Sequence, residues 1–131
     1  MRVLICGGRH LNQHDVWNVL ERDLKDYLLE RFDNETIDLI IQGGASGADH
    51  GAKTWAKSED IKCIEFKADW KKHGKAAGPI RNRRMLEVGK PDVVCAFEGG
   101  RGTANMIKLS YEFGVPVMPL RTPVDNQLIK D

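Results

Sequence analysis

Five short apolar runs divide the chain: RVLIC at 2–6, DLIIQ at 38–42, KCIEF at 62–66, DVVCAF at 92–97 and VPVMPL at 115–120. Most lack polar alternation, which is the pattern of strands covered on both faces. Between them the period lengthens to that of a helix. Val16, Leu20, Leu24, Tyr27, Leu28 and Phe32 mark one apolar stripe, with Asn12 and Asp15 placed to open it. A second helix is expected from Ser46–Asp49 to Lys57, and Gly78-Pro79 puts proline in the first turn of a third. A fourth follows Gly102-Thr103, presents Ala104, Ile107 and Tyr111, and ends at Gly114. Strand and helix alternating in this way imply parallel pairing through right-handed crossovers. The expected fold is α/β, a three-layer Rossmann-like sandwich around a mostly parallel sheet of about five strands. The polar tail after Leu120 reads as a loose end or a short extra helix.

Length and composition fit that picture. At 131 residues, 41% hydrophobic and 30% charged, the chain suits one folded domain spanning 1–131 and not disorder. Lys and Arg number 20 against 19 Asp and Glu, so bulk charge favours neither nucleic acid nor a membrane. Locally the balance tips: residues 62–84 hold eight basic side chains and two acidic ones, enough to attract an anion. Cys6, Cys63 and Cys95 stand singly in apolar runs, as expected of buried thiols in a reducing cytoplasm. No run has the length of a signal peptide or a membrane span, so the expected location is cytoplasmic.

Candidate chemistry concentrates beyond the carboxyl ends of the strands, where ligands bind in such sheets. Glycine pairs follow three of them: Gly7-Gly8, Gly43-Gly44 and Gly99-Gly100. Glycine admits a ligand to the main chain, and the next helix offers N–H groups and a positive dipole end, which suits phosphate. Near-matches to known motifs fail on inspection. GADHGAKT has Ala52 between Gly51 and Lys53, unlike a Walker loop; GASGA is not a nucleophile elbow because position 48 is alanine. GRGTAN places Asn105 where a dinucleotide fingerprint needs its third glycine. His10 and His14 lie four apart without an arranged third ligand, so no metal and no cofactor is expected. Trp70, with lysines around it in KADWKKHGKAAG, is a candidate stacking residue.

Taken together, GGASGAD, ADW…HGKAAGPIRNRRM and FEGGRGT resemble the YspA-like branch of the SLOG superfamily over residues 2 to 120. That Rossmann-like group includes the Lonely-guy phosphoribohydrolases and the DNA-processing protein DprA. The resemblance implies a nucleotide or nucleotide-derived ligand held by glycine loops. It assigns Gly43, Gly44, Ser46, Gly47 and Asp49 to one loop, whose amides would cradle phosphate while Asp49 accepts from a sugar hydroxyl or caps the helix. It assigns Gly99, Gly100, Gly102 and Thr103 to a second phosphate loop, and Arg81 with Met85 to the family's R-x-x-x-M helix, Arg81 clamping phosphate. Arg9, beside Gly7 and Gly8, and Asn82 complete the expected ligand set. The phosphoribohydrolases carry glutamate just after GGxGT, where this chain reads Ala104-Asn105-Met106. Glu98 and Asp49 are the substitutes on offer as catalytic acids, and the departure counts against hydrolysis. Three readings follow: sensing of a phosphate-bearing nucleotide, cleavage of a nucleoside monophosphate, and DprA-like binding of single-stranded nucleic acid, the least favoured. The resemblance also implies a homodimer.

Overall fold

The computed structural model describes residues 1–34 and 36–123. Five strands form one sheet: β1 (Arg2–Cys6), β2 (Leu39–Gln42), β3 (Lys62–Glu65), β4 (Val93–Ala96) and β5 (Val117–Pro119). They lie in the order β3-β2-β1-β4-β5 and all four pairings are parallel. Every described strand of the expected five is present. Buried β1, β2 and β4 hold apolar side chains on both faces, whereas edge strand β3 is only partly covered.

The helices are α1 (Gln13–Val19), α2 (Lys25–Phe32), α3 (Ala48–Ser58), α4 (Trp70–His73), α5 (Ala77–Glu87) and α6 (Arg101–Glu112). The strands sort their side chains by parity. Val3 and Ile5 face Val16, Leu20, Leu24, Ala52 and Trp55 of the first helical layer. Leu4 and Cys6 face Met85, Leu86, Met106 and Leu109 of the second. Where α3 meets α1, a β-carbon on Gly51 would stand 2.7 Å from Val16, so glycine sets the closeness of that crossing.

Asn12 caps α1, its Oδ1 accepting from the His14 and Asp15 amides at 2.8 and 3.1 Å. Between α1 and α2 the chain adopts a π-helical segment, Leu20–Leu24. The cause is legible in the spacing of the stripe. Val16, Leu20, Leu24 and Leu28 recur every fourth residue and are all fully buried. An α-helix turns about 100° per residue, so a four-residue repeat drifts about 40° at each step. The wider π turn unwinds that drift and keeps the stripe on the sheet. Its Glu21 also accepts from the buried Trp55 indole at 2.8 Å. Among the described residues every buried side-chain nitrogen and oxygen has a partner, and no helix is long and apolar enough to cross a membrane.

Candidate functional site

In this strand order the chain leaves β1 and β4 in opposite directions across the sheet, which opens a crevice between their carboxyl ends. A cavity of about 590 Å3 occupies it. It is lined by Gly7, Gly8 and Arg9 after β1, by Glu98, Gly99, Gly100, Gly102 and Thr103 after β4, and by Asp49, Arg81 and Asn82. The volume is within the usual range of about 300–1,000 Å3 for a ligand site.

The loops lock together before any ligand is considered. The Gly8 amide donates to Glu98 O at 2.8 Å, and Gly8 O accepts from the Ala48 amide at 3.2 Å. Ser46 Oγ donates to Arg9 O at 3.0 Å. Gly47, at φ 72°, is fixed by this closure, since a β-carbon there would run into Gly8 O and the Arg9 backbone. Gly99 is fixed likewise by Thr103 Oγ1. Gly100 and Gly102 differ, because a β-carbon at either would meet nothing within 4 Å. They flank Arg101 at the start of α6, whose N-cap residue, Gly100, provides no side-chain cap. The exposed main chain there is open to an anion.

In the second glycine loop several amides have partners within the protein. Its Gly44 amide donates to Gln42 Oε1 at 2.6 Å and its Ala45 amide to Asp49 Oδ2 at 3.1 Å. With Ala48 bound to Gly8, these three amides donate within the protein. Asp49 does not cap α3, since Gly47 holds the N-cap position. A β-carbon on Gly43 would stand 2.6 Å from Arg81 Nη1, so this glycine makes room for the guanidinium.

Arg81 is oriented from two sides. Its Nη1 donates to Gly43 O at 2.5 Å and its Nε to Asn82 Oδ1 at 3.0 Å. Asn82 in turn donates through Nδ2 to Asn105 Oδ1 at 2.9 Å and Gly102 O at 3.2 Å, tying α5 to the first turn of α6. Asn105, within the stretch Ala104-Asn105-Met106, is therefore engaged in structure. Burial and the neighbouring charge of Arg9 lower the Arg81 pKa, with Asp49 opposing them. Asp49 is 6% exposed. Burial raises its pKa to about 6, against the lowering effect of the Ala45 and Gly43 amides and of Arg81. Burial also pushes the nearby Cys6 thiol up. Glu98 lines the cavity, but its carboxylate accepts from the Thr122 amide and hydroxyl at 3.1 and 2.8 Å. Those bonds outweigh burial and hold its pKa below the ordinary value.

Gly43, Gly44, Ser46 and Trp70 lie outside the main cavity and line a neighbouring chamber of about 340 Å3, which shares Arg9, Ala45 and Arg81 with it. Trp70 sits at the start of α4. Sequence reasoning missed Arg101 and treated His10 only as a metal candidate; both line the main cavity. Their signal was adjacency to the glycine pairs. Among the described residues no group of three or more His, Cys, Asp or Glu side chains could hold a metal ion.

Comparison with known proteins follows these contours. The chain is 35% identical over 127 residues to the Gene 61 protein of Mycobacterium phage D29, covering 89% of this chain and 94% of that one. The fold is similar to that of DprA from Streptococcus pneumoniae, with TM-score 0.68, 18% identity and 98% of this chain covered. The match spans 56% of DprA, so the chain accounts for little more than half of that protein. The structure of TM1055 is similar with TM-score 0.63 and 19% identity, covering 89% of this chain and 72% of TM1055. Residues 1–73, which contain both β1 and the second glycine loop, match one family description, and on that ground the chain belongs to the YspA, cpYpsA-related SLOG family.

Proposed function

We propose that the protein binds a phosphate-bearing nucleotide, or a ligand derived from one, in the cavity between the ends of β1 and β4. One observation carries this reading. At the topological switch point, the open main chain of Gly100 and Gly102 begins α6 and shares a cavity with the oriented guanidinium of Arg81. The helix start supplies amides and a partial positive charge, and the guanidinium supplies a planar fork matched to phosphate oxygens. Arg9 adds a second cation at the rim. Family membership fits a nucleotide-related role. Calorimetric titration with AMP, GMP and ADP tests the proposal. Saturable binding of at least one, weakened about tenfold or more by Arg81→Ala, is the expected outcome. Absence of binding across the panel removes the reading.

A second reading, cleavage of the bound nucleotide, has one observation in its favour: Asp49 faces the cavity with a pKa raised to about 6, where a carboxyl can exchange protons near neutrality. Release of free base from AMP or GMP above the blank rate, lost in Asp49→Asn, is what this reading requires. Without such release the protein is a binding module. Single-stranded nucleic acid remains the least supported occupant, and affinity that stays flat as salt rises excludes it. Self-association belongs to the proposal as well: Ile80, Val88, Tyr111 and Phe113 are exposed along or beside α5 and α6. Light scattering is expected to return the mass of a dimer; a monomer mass refutes that part.

A further inference from the structure

The chamber beside the main cavity contains features that the phosphate site alone does not use. Trp70 is 54% exposed there, a large apolar ring set against water. Its position is built: Asp69 Oδ1 accepts from the Lys72 amide at 3.1 Å to start α4, and Gly74, at φ 55°, turns the chain out of it. Its ring lies beside Gly78, where a β-carbon would stand 3.4 Å from Cη2. The other side chains lining the chamber include three cations, Arg9, Lys67 and Arg81, and no carboxylate. The nearby Glu65 is occupied by Gln42 Nε2 at 3.0 Å and by Lys53 and Lys67 at 3.7 and 3.9 Å.

Arg81 and Arg9 line both the main cavity and this chamber. Arg81 is fixed by Gly43 O on the chamber side and by Asn82 on the cavity side, so its guanidinium stands as the partition between them. The like charge of Arg9 repels Arg81, and Asp49 is the carboxylate that opposes this. A linker carrying two negative charges would relieve this repulsion, and an indole surrounded by cations favours the face of a polarisable, electron-rich ring on an anionic ligand.

We propose that the ligand is of the dinucleotide type: one nucleotide in the main cavity, a diphosphate linker passing Arg81 and Arg9, and a second planar base stacked on Trp70. This rests on the phosphate reading of the main cavity and adds the class of molecule. A mononucleotide fills one compartment; two nucleosides joined through a diphosphate fill both.

The test is calorimetric titration of the whole chain with AMP and with diadenosine diphosphate, in the wild type and in Trp70→Ala, Trp70→Phe and Arg81→Ala. The dinucleotide is expected to bind about tenfold or more tightly than AMP, the usual scale of one base stacked on an aromatic side chain. Trp70→Ala should collapse that preference to about twofold or less, and Trp70→Phe, which keeps a ring, should restore most of it. Trp70 is a surface residue, so neither variant threatens the fold. If AMP binds and weakens in Arg81→Ala, yet the dinucleotide has no advantage or keeps it in Trp70→Ala, the phosphate site stands and this inference is overturned. If neither ligand binds the wild type, this inference is overturned, and the phosphate reading falls with it when GMP and ADP also fail to bind. A single strand of about ten nucleotides that binds through Trp70 where the dinucleotide does not would replace the small ligand with nucleic acid and overturn the proposal.

Discussion

Two glycine loops leave the same edge of the sheet. In the one after β2, Gly43 makes room for Arg81, Gly44 for the Glu65 side chain at 3.0 Å, and Gly47 for the backbone of the first loop. In the one after β4, Gly99 serves packing against Thr103, but Gly100 and Gly102 open onto nothing. As strings, GGASG and GGRG look alike. The first is glycine-rich because other parts of the protein press on it; the second is glycine-rich where the main chain is left open. The lesson is that a glycine loop at the end of a parallel strand is a statement about close approach, and the approaching object can be the protein itself.

The comparison breaks most visibly at Gly47. An alanine there has to hold φ near 72° with its methyl against Gly8 O. Strain and overpacking together are expected to cost about 4 kcal/mol, seen as a lower urea midpoint. A midpoint within error of the wild type would mean the loops are not locked as described.

The carboxyl between the two loops gives the next largest effect. Asp49 titrates near pH 6 when folded, against an ordinary value of 3.8. The folded state therefore holds a proton that the unfolded chain has released. The stability from this group is full below about pH 4, falls as pH rises towards 6, and is gone above that. The gap of about 2 pH units corresponds to roughly 3 kcal/mol. Unfolding free energies measured from pH 4 to 7 should show that fall in the wild type and not in Asp49→Asn. Parallel profiles would return Asp49 to the status of an ordinary carboxylate. An anionic ligand should also bind more tightly below pH 6 in the wild type, because protonation removes the negative charge beside Arg81.

Arg81→Ala is expected to lower nucleotide affinity by about 2 kcal/mol, the scale of a charge-assisted contact. Gly102→Ala gives the smallest change in the fold and the sharpest contrast. Alanine at a helical position with empty space around it should leave stability unchanged or raise it by less than about 1 kcal/mol. Ligand affinity should nevertheless fall, because the methyl stands where the main chain was open. If Gly102→Ala binds as well as the wild type, the open main chain after β4 is not a ligand surface.

Much of this was legible in the amino-acid string. The apolar runs located all five strands, and the alternation with helices implied their parallel pairing, though not the order β3-β2-β1-β4-β5. Asn12, Pro79 and Gly114 punctuated the helices as expected, the last at φ 71°. What the string hides is partnership at a distance. That Gly43 answers to Arg81, 38 residues away, or that Glu98 turns to Thr122, depends on how side chains fill space once the sheet is assembled. The amides of Gly44 and Ala45 likewise look available until Gln42 and Asp49 are seen to take them. The tail expected to be a loose end or short helix lies, from residue 124 onward, outside the described residues.

The wide turn at Leu20–Leu24 has its own implication for how this helix tolerates change. It accommodates one residue more than the α geometry needs, and the buried column at positions 16, 20, 24 and 28 depends on that surplus. Removing a single amino acid there would relax the backbone into an ordinary spiral and leave the downstream face on the sheet, the column then recurring at steps of four, three and four. Loss of one residue in this stretch is thus forgiven more readily than truncation of the buried Leu20 or Leu24.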